Sequence, residues 1–130
     1  MALTVKDMMA AANAVVPKIT VAEAQSLLAQ GGLLVDVRDQ PEVEKSGKAA
    51  GALHISRGML EFRADDATPY HNPELRKNRA VILYCASGGR SALSGKLLKD
   101  MGYQRVYNLG GFASWLENGG AVDGAIEQGM

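Results

Sequence analysis

The feature that most constrains the fold is a pair of short, almost wholly apolar segments, Leu33–Val37 and Ala80–Tyr84. Neither segment shows the alternation of apolar and polar residues that marks a half-exposed strand. Runs of this kind are typical of parallel strands that are buried on both faces. Stretches with helical spacing separate them. The sequence therefore predicts a three-layer α/β/α fold with a small central parallel sheet.

Capping and turn signals predict the other elements. Thr4 and Thr20 each precede an acidic residue three positions later, which is typical of a helix start. The first indicates an extra N-terminal helix, and the second a helix that ends at Gly31-Gly32. We further expect strands at 51–55 and 105–107, helices at 42–44, 56–64, 91–101 and 111–118, and a polar connection at 65–78. No internal repeat is visible, so we expect one domain at 19–122, after a helical segment at 1–18 and before a tail at 123–130.

Composition excludes several classes of protein. The chain of 130 residues has one cysteine, Cys85, and two histidines, His54 and His71. These are too few for a structural zinc site, and no internal disulfide can form. A lone cysteine fits a reducing compartment, so we expect a cytoplasmic protein that needs no metal or cofactor. The apolar stretch at 8–16 is too short to span a bilayer and lacks the basic start of a signal peptide.

The net charge of zero conceals an uneven distribution along the chain. Residues 75–105 hold seven basic residues and one acidic residue, a net charge of +6, whereas 1–74 and 106–130 each have a net charge of −3. Cys85 lies inside the positive segment, and a field of one sign attracts ligands of the other. We therefore expect a small anionic ligand, and neither nucleic acid nor a membrane. The alternative is a solvated surface with uneven charge.

The segment Cys85-Ala-Ser-Gly-Gly-Arg90-Ser91, called the cysteine loop below, comes directly after the second apolar run. We expect a strand to end at Cys85, a loop to extend to Arg90, and a helix to begin at or just after Ser91. Loop N–H groups freed by the glycines and the N-terminus of that helix would form a cradle for an anion. Such a cradle lowers the pKa of a thiol. The alternative is a buried cysteine that merely ends a strand.

Two reaction classes use a cysteine followed by an arginine in a loop of this design. Phosphatases need a loop wide enough to surround phosphate, whereas sulfurtransferases need to hold only one extra sulfur atom. Four residues separate Cys85 from Arg90 here, and phosphatase loops of this design have five. Tyr84 also stands where a histidine precedes the phosphatase cysteine. The short loop favours sulfur over phosphate.

Three segments together resemble the rhodanese family, specifically a single-domain sulfurtransferase. Leu34–Glu42 is similar to the family's Asp-Val-Arg segment and the Pro/Glu helix start after it, the cysteine loop has the length typical of sulfurtransferases, and Leu109–Trp115 is similar to its Gly-Gly-aromatic-x-x-Trp signature. The resemblance covers about Ile19–Gly120. Residues Gly47–Ala52 depart from the family's Gly-His-Ile-Pro-Gly-Ala, which affects local rigidity rather than chemistry.

The resemblance implies a mechanism and assigns residues to it. The Cys85 thiolate would take the outer sulfur of thiosulfate or of a polysulfide or persulfide, and would pass it to cyanide or a thiol. The loop N–H groups would stabilise the persulfide, and Arg90 would orient the loop or the anionic donor. Two alternatives stay open: a cysteine phosphatase or arsenate reductase, and a non-catalytic sulfur carrier or sensor. The persulfide-binding loop comprises Ala86, Ser87, Gly88, Gly89, Arg90 and Ser91.

Four other polar residues require separate interpretation. Asp36 lies in a predicted strand and Arg38 follows it, and we expect them to support the site chiefly as an ion pair that ties strand to loop. His54 and His71 lack the spacing of a catalytic base, and a persulfide mechanism needs none. We expect a monomer or a weak homodimer.

Overall fold

The computed structural model describes residues 2–124. In chain order, the elements are α1 (Val5–Val15), α2 (Val21–Ala29), β1 (Leu33–Asp36), α3 (Gln40–Ser46), β2 (Lys48–Ala49), β3 (Leu53–His54), a 3-10 turn (Arg57–Met59), α4 (Leu60–Ala64), β4 (Val81–Cys85), α5 (Gly89–Asp100), β5 (Val106–Gly111), α6 (Phe112–Glu117) and β6 (Val122–Asp123). None of the helices within 2–124 is long and apolar enough to cross a membrane.

The central sheet has four parallel strands in the order β3-β1-β4-β5. Because all four strands run the same way, their carboxyl ends lie along one edge of the sheet. Asp36 pairs with Tyr84 in register, and Cys85 pairs with Gly111 across an irregularity after Leu83. Ligands of open parallel sheets bind at this carboxyl edge, and Cys85 ends its strand there.

Each face of the sheet is covered by a separate apolar core, because side chains alternate along the buried strands. Leu83 and Cys85 of β4 face one core, which also contains Leu98 of α5. Ile82 and Tyr84 face the other, which contains Trp115 of α6. The predicted three-layer arrangement is therefore present.

The predicted N-terminal helix is present as α1. Thr4 and Asp7 exchange backbone-to-side-chain hydrogen bonds of 3.1 Å each, which caps its start. Ala12 is fully buried, and Val16, just after the helix, packs so close to Gly95 that a β-carbon there would lie 2.8 Å from it. α1 therefore covers α5, the helix that follows the cysteine loop.

The structure corrects several predicted boundaries. α5 begins at Gly89 rather than at Ser91, and β5 extends to Gly111, well beyond 107. The strand expected at 51–55 is limited to Leu53–His54. A small antiparallel sheet of β2 and β6 was not predicted, and β6 includes Asp123, the first residue of the expected tail. Residues 125–130 of that tail lie outside the described part of the chain.

Candidate active site

The cysteine loop rests on the Gly110-Gly111 segment of β5. A β-carbon on Gly111 would lie 2.6 Å from the carbonyl oxygen of Ala86, and one on Gly88 would lie 3.3 Å from the α-carbon of Gly110. Gly88 also has a φ of 103°, a left-handed conformation that favours glycine. These glycines let two backbones approach closely. Two sequence motifs that lie far apart in the chain thus build one site.

The sulfur of Cys85 is held at the base of the loop, where the residue is 1% exposed. The N–H of Gly88 donates to Sγ at 3.0 Å, and the Ser91 hydroxyl lies 3.5 Å from it. Burial raises the pKa of the Cys85 thiol, but hydrogen bonds from the Ser91 hydroxyl and from backbone N–H groups of Ser91, Gly88 and Ser87 outweigh burial and lower it below its ordinary value. The loop therefore favours the thiolate. Ala86 and Ser87 are exposed and leave the loop open to solvent.

Asn108 of β5 supports this arrangement, although the sequence gave no reason to place it in the site. Its Oδ1 accepts hydrogen bonds from the Ser91 hydroxyl at 2.7 Å and from the Gly110 N–H at 2.9 Å. Its Nδ2 donates to the Gly88 carbonyl at 3.3 Å. Asn108 thus holds Gly88, the residue whose backbone N–H donates to the sulfur. The only sequence signal for its role was the presence of a side-chain amide among the apolar residues of β5.

Replacing Ser91 by alanine should raise the pKa of Cys85. The hydroxyl can turn its single proton from Asn108 to the thiolate, and the variant loses that donor while the sulfur stays buried. The pH dependence of Cys85 alkylation by iodoacetamide measures the change. Ser94→Ala is the matched control, because the Ser94 hydroxyl donates to the Arg90 carbonyl. An unchanged alkylation profile in Ser91→Ala would assign the stabilisation to the backbone alone.

The guanidinium of Arg90 is paired with acidic side chains at the start of α3. Its two terminal nitrogens donate to the two carboxylate oxygens of Glu42, at 2.6 and 3.0 Å, and Asp39 lies 3.9 Å away. The hydrogen bonds from Arg90 lower the pKa of Glu42 to about 2. The pair ties the first turn of α5 to α3. That Arg90 orients the loop stays a prediction, and its contact with Glu42 was not predicted from the sequence.

Asp36 and Arg38 form the expected ion pair, at 2.8 Å, and both are buried. The Tyr84 hydroxyl donates to Asp36 at 2.6 Å, and Arg38 also donates to Ser46 and to the Gly47 carbonyl. Burial, followed by the hydrogen bond to Asp36, raises the pKa of Tyr84, so its hydroxyl stays protonated and can donate. Because Tyr84 faces the opposite core from Cys85, this cluster supports the carboxyl edge without touching the sulfur.

The positive segment of the sequence does not surround Cys85. Most of its basic residues come just before β4 or β5, or at the end of α5. Because α5 runs back from the end of β4 to the start of β5, all these positions lie at the amino edge of the sheet. Hydrogen bonds among neighbours there, such as Gln104 N–H to the Lys77 carbonyl, gather them in one region. The expectation of an anion-attracting field around the cysteine is therefore wrong. The basic residues of the amino edge are Arg76, Lys77, Arg79, Lys99 and Arg105.

Neither histidine contacts the sulfur through its ring. His54 Nε2 lies 2.7 Å from the Arg38 carbonyl, and His71 Nε2 lies 3.2 Å from the Leu75 carbonyl. Across residues 2–124, no group of three or more histidine, cysteine, aspartate or glutamate residues is arranged to hold a metal ion.

The fold and the cysteine loop together define a class of protein. A family model described as a rhodanese-like domain matches residues 20–118. The chain belongs to the rhodanese-like domain family.

Comparison with individual proteins refines this assignment. A sulfurtransferase from Allochromatium vinosum is 35% identical over 88 residues, which cover 67% of this chain and 74% of the relative. The thiosulfate sulfurtransferase GlpE from Coxiella burnetii is 33% identical over 84 residues, covering 64% and 70%. Both matches include most of each relative's length.

Two solved structures are similar over most of the chain. RPA3614 from Rhodopseudomonas palustris, a protein of unknown function described as a possible tyrosine phosphatase, has a TM-score of 0.84 and 37% identity, and covers 95% of this chain and 96% of its own. The human single-domain sulfurtransferase TSTD1 has a TM-score of 0.67 and 30% identity, covering 78% and 96%. The chain is thus similar both to a protein described as a possible tyrosine phosphatase and to one described as a sulfurtransferase.

Proposed function

We propose that this protein is a sulfurtransferase that carries sulfane sulfur as a persulfide on Cys85. The observation that carries the proposal is the Gly88 N–H, which donates to Sγ at 3.0 Å at the base of an open loop. N–H groups directed at the sulfur favour the thiolate that attacks the donor. They would equally stabilise the negative outer sulfur of a persulfide. The sulfurtransferases among the relatives and solved structures support the same chemistry.

The reaction requires two half-reactions at one sulfur. The Cys85 thiolate attacks the outer sulfur of thiosulfate, a polysulfide or a persulfide, and the leaving group departs with the electron pair of the broken S–S bond. Cyanide or a thiol then removes the outer sulfur and restores the thiolate. The persulfide-binding loop is residues 86–91, with Asp36 and Arg38 in support. The chemistry involves no cofactor, and we place the protein in the cytoplasm as a monomer or weak homodimer with its functional domain at 19–122.

A phosphatase is the competing enzyme class, because RPA3614 is described as a possible tyrosine phosphatase. Phosphatase chemistry would need Arg90 to hold the phosphate, but both of its terminal nitrogens bind Glu42. The short loop between Cys85 and Arg90 is a second argument for sulfur. We therefore favour sulfur transfer.

The test compares both reactions in the purified full chain. We expect thiocyanate to form from cyanide with thiosulfate or polysulfide as donor, with the parallel double-reciprocal plots of ping-pong kinetics. Hydrolysis of an aryl phosphate should stay at the background rate. Rapid phosphate release without thiocyanate would establish the phosphatase instead. Persulfide formation without turnover would indicate a sulfur carrier or sensor.

A further inference from the structure

The mouth of the cysteine loop holds one cation and two nearby carboxylates. Arg90 is about one-third exposed, and its side chain is paired bidentately with Glu42. Asp39 lies 3.9 Å from the same guanidinium. These three groups together have a net charge of −1. A ligand that approaches Cys85 past Arg90 therefore meets a region without excess positive charge.

Two further cations near this pairing, Arg38 and Lys96, have acidic partners of their own. Arg38, the other arginine beside α3, is buried and bound to Asp36. Lys96 of α5 is paired with Asp100 at 2.8 Å, two turns further along the helix. The remaining basic residues of the positive segment lie at the amino edge of the sheet, opposite Cys85. Arg90 is therefore the one cation of that segment at the loop, and Glu42 occupies it.

The charge of the leaving group distinguishes the donors that a sulfurtransferase can use. Attack of the Cys85 thiolate on thiosulfate breaks its S–S bond and releases sulfite, a dianion, while Cys85 becomes a persulfide anion. Attack on an alkyl persulfide, R–S–SH, breaks the same kind of bond. It gives Cys85–S–SH and R–S⁻, which has one charge and takes up a proton from water. Release of sulfite needs a free cation much more than release of a thiolate does.

We propose that Glu42 is a specificity-determining residue, which neutralises Arg90 and so selects alkyl persulfides over thiosulfate as sulfur donors. This inference rests on the proposed sulfur transfer and deepens it. The low pKa of Glu42 keeps its carboxylate ionised at assay pH, so the neutralisation persists. The donor class is then a persulfide of a thiol, either a small molecule or a cysteine of a partner protein.

The test measures kcat/KM for two donors in the full chain, with cyanide as the common acceptor. The donors are thiosulfate and the persulfide of 2-mercaptoethanol, whose organic group carries no charge. The first variant is Glu42→Gln, which frees Arg90. The control is Glu44→Gln, which removes another carboxylate of α3. The Glu44 carboxylate is exposed and accepts a hydrogen bond from Gln40 rather than from Arg90. Glutamine at position 42 can still accept the Asp39 N–H bond that caps α3.

We expect the wild-type protein to prefer the persulfide by at least about tenfold. Glu42→Gln should raise the ratio of kcat/KM for thiosulfate to that for the persulfide on the order of tenfold. Glu44→Gln should leave the ratio of the two unchanged. Because both donors are measured on the same protein, loss of folded protein cancels in the ratio.

The outcomes separate the two proposals. Equal use of both donors by the wild-type protein, or an unchanged donor ratio in Glu42→Gln, would overturn the role of Glu42 and leave sulfur transfer standing. Failure of both donors in the wild-type protein would overturn the sulfur transfer itself. An equal change of the ratio in Glu44→Gln would show a general effect of charge and also contradict the assignment to Glu42.

Discussion

Replacement of Cys85 by serine should reduce thiocyanate formation by at least about a thousandfold. A serine hydroxyl is not ionised at neutral pH and cannot carry sulfane sulfur, so both half-reactions lose their nucleophile. No other cysteine exists in the chain to replace it. Steady-state rates with a persulfide donor and cyanide measure the loss.

The same substitution should leave the fold intact. The site is buried, but serine is close to cysteine in size, and the Gly88 N–H and the Ser91 hydroxyl can both hydrogen-bond its oxygen. We expect the free energy of unfolding to change by about 1 kcal/mol or less, as measured by urea denaturation. Activity that survives in a folded Cys85→Ser protein would refute the role of Cys85.

Replacement of Arg38 by methionine should cost about 3–5 kcal/mol in the free energy of unfolding. Asp36 is fully buried, and without Arg38 its carboxylate keeps the Tyr84 hydroxyl and the Arg38 backbone N–H as its only donors among the described residues. An uncompensated buried charge is far more costly than the attraction lost from an exposed pair. The guanidinium also lies 4.4 Å from the Phe112 ring centroid, so its removal loses packing. Urea denaturation measures the change.

Lys48→Met provides the matched control for that experiment. Lys48 pairs with Asp123 at 3.5 Å, and both side chains are substantially exposed. Pairs of this kind contribute about 0–1 kcal/mol. If Arg38→Met costs no more than Lys48→Met, the buried cluster does not hold the carboxyl edge together.

The general fold was predictable because its signals are local. The apolar runs at β1 and β4 and the capping residues Thr4 and Thr20 are read from neighbouring positions, and the structure contains the elements they predict. The sheet of β2 and β6 was missed because each strand has two residues, too few to show any periodicity. Local patterns therefore predict the longer elements more accurately, since β3, which also has two residues, was predicted over five.

Glycine explains two of the boundary errors. The Gly88-Gly89 pair indicates a loop, but Gly88 is the left-handed residue before α5 and Gly89 is its first helical residue. A helix was expected to begin at Gly111, whereas both Gly110 and Gly111 pair with β4. In each case a tertiary contact determines the conformation, because the two glycine segments lie against each other.

The site was predictable only in part, for a related reason. Cys85 and Ser91 belong to one short motif, and their proximity follows from it. Asn108 is 17 positions from its partner Ser91 in the sequence. Glu42 is 48 positions from its partner Arg90. The charge pattern misled because residues that are near Cys85 in sequence lie at the opposite edge of a parallel sheet.

The central claim is that Cys85 holds sulfane sulfur, and intact-protein mass spectrometry tests it most directly. Wild-type protein incubated with an alkyl persulfide, then freed of excess donor, should gain the mass of one sulfur atom. The Cys85→Ser variant should gain nothing, and cyanide should restore the original wild-type mass. A wild-type protein that gains no sulfur, or a Cys85→Ser variant that gains as much, would contradict the account.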